Sequence, residues 1–430
     1  MSAGETIAAI ATAPGRGGVA VIRVSGPEAF AVGERLCRKP LVLGLQTADV
    51  TVDRCVVLVF RAPHSYTGED VVEFQCHGGS VTPRRVLAAC LNAGARLARR
   101  GEFTERAFLN GKIDLSQAES VLDLIDAKTD RAADAALEGL AGRRSAARRE
   151  LYDAALTISS DLEHALDVSE EELPSDFLAE MARRIGDLRA SIAETLRKAR
   201  ERRLLQAGAR VVLSGPPNVG KSSLLNALLD ENRAIVSDVP GTTRDAIEEW
   251  LDIDGWPVRL TDTAGIRETE DAIEGEGVRR ARELVASADL ALVRSDGSDT
   301  GTPRNGPRER HVVTKADLLP ADRRRALADC GFLVVSAKTG EGLAALRRAI
   351  ADSLAARAED WADAGDAALD DEAVLHEVAG LLAGVSEVAG DPVLLANLVR
   401  TAAEKLGASV GAVYSGDLLE RLFARFCVGK

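Results

Sequence analysis

The 430-residue sequence predicts a multi-domain α/β protein: an N-terminal α+β domain, then a discontinuous helical domain into which a doubly wound α/β domain is inserted. Three observations predict it. Gly-rich turns alternate with β-branched runs up to about residue 112, helical spacing takes over and returns near the C-terminus, and a strand, glycine-loop and helix succession interrupts that spacing. The segments are 1–112, 113–205, 206–354 and 355–430, the second and fourth read as two parts of one helical domain. Insertion is permitted because domain termini often lie close together.

In the first segment, Val19–Val24, Arg54–Phe60 and Val71–Phe74 are β-branched runs fit for strands, and a helix is expected near 81–93. Pro14-Gly-Arg-Gly-Gly18 and His77-Gly-Gly79 read as turns. In the second, Leu151, Ala155, Ile158, Leu162 and Leu166 form one apolar helical stripe, and Ile185, Leu188, Ile192 and Leu196 another. Ser169–Pro174 is acidic and Pro-containing, a turn between them. After the insertion the stripes resume with Leu375, Val378, Leu382 and Val385, then Leu394 and Leu398, then Leu418, Leu422 and Phe426.

Composition narrows the function classes. No apolar run approaches the roughly 18 residues of a membrane span, and the start, Met1-Ser-Ala-Gly-Glu, lacks the basic and apolar regions of a signal peptide. Cysteines at 37, 55, 76, 90, 330 and 427 contain no C-x-x-C pair, which argues for reduced thiols in a cytoplasmic protein rather than a disulfide framework or zinc site. A net charge of −13 disfavours strong non-specific binding to nucleic acid. Local basic clusters remain, at Arg84–Arg85, at Arg96 with Arg99–Arg100, and at Arg143–Arg144 with Arg148–Arg149; each is either an RNA contact or a solvated face.

The insertion carries the sharpest chemistry. Gly215–Ser222 is a complete G-x-x-x-x-G-K-[ST] loop between the strand run Ala209–Ser214 and the helix run Ser223–Leu229. Backbone N–H groups around Asn218, Val219 and Gly220 and the helix N-terminus at Ser223 suit a β-phosphate, Lys221 reaches the β- and γ-oxygens, and the Ser222 hydroxyl faces Mg²⁺. Gly241-Thr-Thr-Arg-Asp245 reads as a switch in which Thr242 and Thr243 close over Mg²⁺ and the γ-phosphate, preceded by Ser237, Asp238, Val239 and Pro240. Asp262, Thr263, Ala264 and Gly265 end the strand run Val258–Thr261; Asp262 can hold Mg²⁺ through water and the Gly265 amide can meet the γ-phosphate. Thr314, Lys315 and Asp317 follow Arg310–Val313, and Asp317 can accept both N1–H and N2–H₂ of guanine, donors that adenine lacks in that geometry. Ser336, Ala337 and Lys338 follow Phe332–Val335 and bring a backbone N–H to guanine O6. In this order the motifs resemble the Ras-like GTPases and imply GTP with Mg²⁺. Thr314 departs from the usual Asn, which ties the base loop to the phosphate loop.

Beyond the insertion, the chain resembles the MnmE, or TrmE, family of tRNA modification GTPases over nearly its whole length. The resemblance rests on Thr6–Gly18, Ser65–Asp70, Glu73–Gly79, Gly101–Lys112 and the terminal Phe426-Cys-Val-Gly-Lys430. It implies a homodimer formed through an N-terminal domain similar to tetrahydrofolate-binding domains, holding 5-formyl-tetrahydrofolate or a related one-carbon donor at Arg23, Glu73, Lys112 and Lys430. It also implies an FAD-dependent partner protein, tRNA as substrate, and an aminomethyl-type addition at C5 of a wobble uridine. Hydrolysis is implied to use K⁺ in place of an arginine finger, with oxygen ligands from Asn218, Ser237, Val239 and Thr242, Mg²⁺ held by Ser222 and Thr243, and Glu274 acting on the attacking water. Cys427 stands in the family's terminal Cys-x-Gly-Lys pattern, as a nucleophile or as a residue that positions the tail. The alternative is a ribosome-assembly GTPase acting as a nucleotide-gated binding module; such relatives share Asn218 but lack the first domain and the tail.

Overall fold

The computed structural model describes residues 4–50, 52–168, 173–215, 221–231, 249–262, 283–295, 303, 306, 308–360, 370–385, 390–410, 419 and 422–429. The chain divides into two units. One holds 1–122, 139–145 and 412–430; the other holds 123–138 and 146–411.

The first unit is built on a six-stranded sheet of β1 (Ile7–Ile10), β2 (Val19–Ser25), β3 (Gly44–Val50), β4 (Asp53–Phe60), β5 (Val71–His77) and β6 (Arg96–Leu97). Its order is β3-β4-β5-β2-β1-β6, with β1 and β6 parallel and the other pairs antiparallel. Alternation decides the faces: Ala20, Ile22 and Val24 point into a core shared with Val57, Phe74 and residues of helices α1 (Ala29–Cys37) and α2 (Thr82–Asn92). Arg23 and Glu73, opposite each other in the β2–β5 register, therefore fall on the other face. There Ile7, Ala9, Ala98 and Phe103 pack with Tyr66.

Helices α3 (Glu102–Leu109) and α4 (Leu115–Asp126) follow. Leu422, Phe423 and Phe426 pack against Leu115, Ala118 and Leu122, so the tail is seated in this unit. Two glycines make that seat possible. Gly101 (φ 68°) would place a Cβ 2.5 Å from the Phe423 carbonyl, and Gly429 (φ 106°) one 2.2 Å from the Ile10 carbonyl.

Buried Glu102 organises the basic residues nearby. Arg96 binds both Glu102 and Glu5, Arg106 binds Glu102 and Glu69, and Arg99 binds Glu105. Burial pushes the Glu102 carboxyl up, but hydrogen bonds from Arg96, the Arg99 amide and Arg106 carry it down to about 2. The Arg96 and Arg99 cluster is thus committed to carboxylates inside the unit.

The second unit combines helices and a second sheet. Helix α5 (Asp130–Leu140) begins in it, and α6 (Arg143–Asp167) and α7 (Phe177–Ala207) follow. With α11 (Asp370–Ala383) and α12 (Pro392–Val410), α6 and α7 bury Leu151, Ile158, Leu162, Ile185, Ile192, Leu375, Val378 and Leu395 in one core. Two stripe positions differ from expectation. Leu166 is exposed while Ala165 is buried, and α12 buries Leu395, Val399, Ala402 and Leu406 while Leu394 is exposed. A helix drifts against its neighbours, so the face that meets them is set by packing rather than by the strongest apolar spacing.

The second sheet has the order β12-β11-β10-β7-β9-β8, formed by β7 (Ala209–Ser214), β8 (Glu249–Ile253), β9 (Trp256–Asp262), β10 (Leu290–Ser295), β11 (Glu309–Val313) and β12 (Leu333–Val334). All neighbours are parallel except the edge pair β8–β9. Helices α8 (Lys221–Glu231), α9 (Ala321–Asp329) and α10 (Leu343–Asp360) accompany it. Its core includes Val211, Leu213, Leu224, Leu228, Leu260, Leu292, Leu346 and Ile350.

Candidate functional site

Parallel register gathers the insertion's motifs at one edge of the sheet. Asp262 pairs with Leu213, Val293 with Ser214, Ser295 with Val313, and Val313 with Val334. The strands that precede the phosphate-loop sequence, residue 263, Thr314–Asp317 and Ser336–Lys338 therefore all end at one edge of the sheet. Sequential order reverses at β7, with β9 on one side and β10 on the other; such switch points form crevices where ligands bind. Gly215 (φ 142°) starts the loop, and a Cβ there would lie 2.8 Å from the Arg294 carbonyl. Lys221 and Ser222 open α8, and Ser223 beside them is exposed.

The segments 314–317 and 336–338 lie wholly within the described residues. Lys315 takes a left-handed conformation (φ 58°), Ala316 donates to the Val335 carbonyl at 3.0 Å, and Asp317 sits exposed in the 3₁₀ turn Ala316–Leu318. The buried Ser336 hydroxyl donates to Asp317 Oδ1 at 2.7 Å. That bond, with the charges of Lys338 and Lys315, holds the Asp317 carboxyl below its usual range. Buried Thr314 donates its amide to the Ser295 carbonyl at 3.1 Å and its hydroxyl to the same oxygen at 3.4 Å. Its side chain is tied back to β10. Ser336 donates its amide to the Glu341 carbonyl, Ala337 is half-buried and Lys338 is exposed.

Asn218, Val219, Gly220, Ser237, Asp238, Val239, Pro240, Gly241, Thr242, Thr243, Thr263, Ala264, Gly265, Glu274 and Lys430 lie outside the described residues, as do the side chains of Lys221, Ser222 and Asp262.

A second site lies in the first unit. A cavity of about 310 Å³ is lined by Phe60, His64, Ser65, Tyr66, Val71, Glu73 and Lys112. Arg23 Nε donates to Glu73 Oε1 at 2.7 Å, and its guanidinium stacks over Tyr66 and Phe103 at 5.2 and 5.6 Å from the ring centroids. Lys112 donates to the Pro63 carbonyl at 2.9 Å. The Tyr66 hydroxyl lies 2.8 Å from Thr104 Oγ1, and burial pushes its pKa up. Glu73 and Lys112, from distant stretches of chain, thus line one cavity, and Arg23 is held beside it by its pairing with Glu73. Tyr66 and Phe103 carry no charge that would single them out in sequence, and only the Ser65–Asp70 and Gly101–Lys112 motifs around them mark them.

Cys427 is exposed, and its carbonyl accepts from the Gly101 amide at 3.4 Å. Val428 bridges Arg100. Among the described residues no group of three His, Cys, Asp or Glu could hold a metal ion, and no helix is long and apolar enough to cross a membrane.

Comparison with known proteins identifies the family. The family model described as "GTP-binding protein TrmE N-terminus" matches residues 6–112, and "MnmE helical domain" matches 115–427. The tRNA modification GTPase MnmE of Symbiobacterium thermophilum is 42% identical over 456 residues, covering 99% of each chain. That of Heliobacterium modesticaldum is 41% identical over 466 residues, covering 99% of this chain and 100% of its own. Among solved structures, the FeoB G-domain from Methanococcus jannaschii is 21% identical and covers 34% of this chain and 97% of its own, with a TM-score of 0.24. The cytosolic domain of the T. maritima FeoB iron transporter in its GDP form II is 23% identical and covers 50% and 94%, with a TM-score of 0.24. With two family models spanning nearly all of it and relatives alike from end to end, the chain belongs to the MnmE (TrmE) family of tRNA modification GTPases.

Proposed function

We propose that this chain is a K⁺-activated GTP hydrolase that, with an FAD-dependent partner, modifies C5 of the wobble uridine of certain tRNAs using a formyl-tetrahydrofolate-type donor. The observation that carries the hydrolase reading is the Asp317–Ser336 pair standing at the sheet edge where β7, the strand before the phosphate-loop sequence, also ends. In this reading residues 206–354 form a Ras-like domain inserted between the helical segments 113–205 and 355–430, and residues 1–112 form the folate-binding and dimerisation domain. The chain acts in the cytoplasm as a homodimer.

The donor set suits the ions. Ser222 and Thr243 offer hydroxyl oxygens and Asp262 a carboxylate for Mg²⁺, while Asn218 and the carbonyls of Ser237, Val239 and Thr242 offer neutral oxygens for K⁺. Bound there, the cations supply positive charge against the β- and γ-phosphate oxygens. The cavity beside Glu73 suits a folate: aromatic and apolar walls for a flat ring, a carboxylate held in place by Arg23 for its amino edge, and the Lys112 ammonium for its glutamate tail. Lys430 adds a second cation in this reading.

The test is nucleoside analysis of tRNA from a strain that lacks this chain and from the same strain carrying it back. Loss of the C5 aminomethyl-type wobble modification and its restoration are expected. Normal modified-nucleoside levels in the deletion strain, with GTP hydrolysis by the purified protein, would favour the binding-module alternative.

A further inference from the structure

We propose that Thr129 and Arg131 are positioning residues for GTP hydrolysis, acting at a distance through the β8–β9 hairpin. The inference rests on reading the chain as a GTP hydrolase.

In sequence the hairpin lies between the two switch motifs: residues 241–245 precede β8, and residues 263–265 follow β9. Its arms are joined in continuous register from Glu249↔Leu260 to Ile253↔Trp256, so they move together. Asp254 (φ 51°) and Gly255 (φ 87°) form its turn, with the two positive φ values of a type I′ connection. Because β9 runs parallel to β7, this turn lies at the end of the strand away from Asp262, about 20 Å along at the usual strand rise.

Helices grip the turn there. The Thr129 hydroxyl donates to the Gly255 carbonyl at 2.8 Å and accepts from the Ala132 amide at 3.2 Å, so one oxygen caps α5 and fastens the hairpin. The Arg131 guanidinium stands 4.1 Å from the ring centroid of Trp256, a buried residue, and pairs with Glu201 of α7. From the other side Arg347 of α10 approaches Asp254 at 3.5 Å. Gly255 is required twice over: its φ is left-handed, and a Cβ would come within 3.2 Å of the Arg131 side chain.

A strand pair that ends in both switches and is pinned at its far turn has its position along β7 fixed by the pin. That position sets where Asp262 stands beside the end of β7. Coupling of this kind is reciprocal. A change of nucleotide that shifts the hairpin must load α5 through Thr129 and Arg131, and anything that displaces the start of α5 must change hydrolysis.

The test uses the full-length protein and four forms: wild type, Thr129→Val, Arg131→Ala and Arg131→Lys. Steady-state hydrolysis is measured with amide exchange of residues 131–138 in GDP and in a non-hydrolysable GTP analogue. Arg131→Ala and Thr129→Val are expected to lower kcat about fivefold while KM for GTP changes less than about twofold, and Arg131→Lys, which keeps a cation over the indole, to recover most of the rate. Exchange in 131–138 differs between the two nucleotides in the wild type and not in Arg131→Ala. An unchanged kcat in both loss variants, or equal exchange in both nucleotides for an active wild type, overturns the inference and leaves the hydrolase reading intact. A wild-type protein that does not hydrolyse GTP removes both.

Discussion

The Ser336 hydroxyl donates to the Asp317 carboxylate across 2.7 Å, and the two residues come from different loops of the parallel sheet's carboxyl edge. In the proposed reading this bond aims the carboxylate before any base arrives. Replacing Asp317 with Asn turns one acceptor oxygen into a donor, and charged-group hydrogen bonds contribute about 1.5–3 kcal/mol each. Asp317→Asn is expected to weaken GTP binding by at least tenfold and to favour xanthosine triphosphate, whose O2 accepts where guanine N2 donates. Ser336→Ala weakens GTP more modestly. Competition titrations with a fluorescent GTP analogue check both, and equal affinities for the two nucleotides in Asp317→Asn would refute the assignment.

Potassium is expected to raise turnover well above the sodium rate, because the proposed carbonyl cage is sized for the larger ion, and Asn218→Ala is expected to abolish the difference. Hydrolysis assays in the two chloride salts at matched ionic strength are sufficient. Equal rates in the wild type would count against a cation in the arginine-finger role.

An apolar residue, Ile266, follows Gly265 where a water-orienting Gln would serve, so another group must act. Glu274→Ala is expected to lower kcat about tenfold or more with GTP affinity nearly intact, and Glu270→Ala to do little. Indistinguishable rates for the two variants would remove Glu274 from the mechanism.

Four of the six thiols, Cys37, Cys55, Cys76 and Cys90, lie in the first unit's sheet-and-helix core. Burial, with neighbouring thiols, pushes Cys55 and Cys90 up to about 12; burial raises Cys37, and burial with the Asp53 charge raises Cys76. Thiolate is the reactive form. In the native protein Ellman's reagent is expected to titrate the exposed Cys330 and Cys427, and the other four only after denaturation. Cys427→Ser should remove one fast equivalent and leave GTP hydrolysis unchanged; rapid reaction of a third thiol would contradict the packing.

Glu102 has a folded pKa of about 2 against about 4.3 in an unfolded chain. Its contribution is therefore fully present above about pH 4.3 and is lost as the pH falls toward 2. Glu102→Gln leaves Arg96 and Arg106 undercompensated, at a cost of about 3 kcal/mol near pH 7. Urea denaturation across that range should show the gap between wild type and variant narrowing as acid is added. A constant gap would place the stabilisation elsewhere.

Local pattern made much of this legible. The runs 209–214, 258–261 and 310–313 are each a strand, with the apolar residues Val211, Val212, Leu213, Val258, Leu260, Val312 and Val313 at buried positions. Partner choice was not legible. Leu422 and Phe426 have helical spacing like that of the second unit's helices, yet they pack against Leu115 and Ala118, as Gly101 and Gly429 let the backbone approach. Arg23 and Glu73 are 50 residues apart and meet only because the β2–β5 register sets them opposite. The face of α12 missed by one residue, since Leu394 and Leu395 are equally apolar and only the neighbouring helices choose between them.

Helix α7 runs 31 residues without a break, about 46 Å at 1.5 Å per residue. Met181 to Leu196 anchor one end in the helical core, and Leu204 and Leu205 anchor the other beneath the parallel sheet. It is a lever with both ends embedded. A tilt of about 5° at the sheet end would carry the opposite end through about 4 Å over that length. A displacement at the nucleotide too small to break any helix would thus reach the bundle enlarged, with no hinge needed along the way.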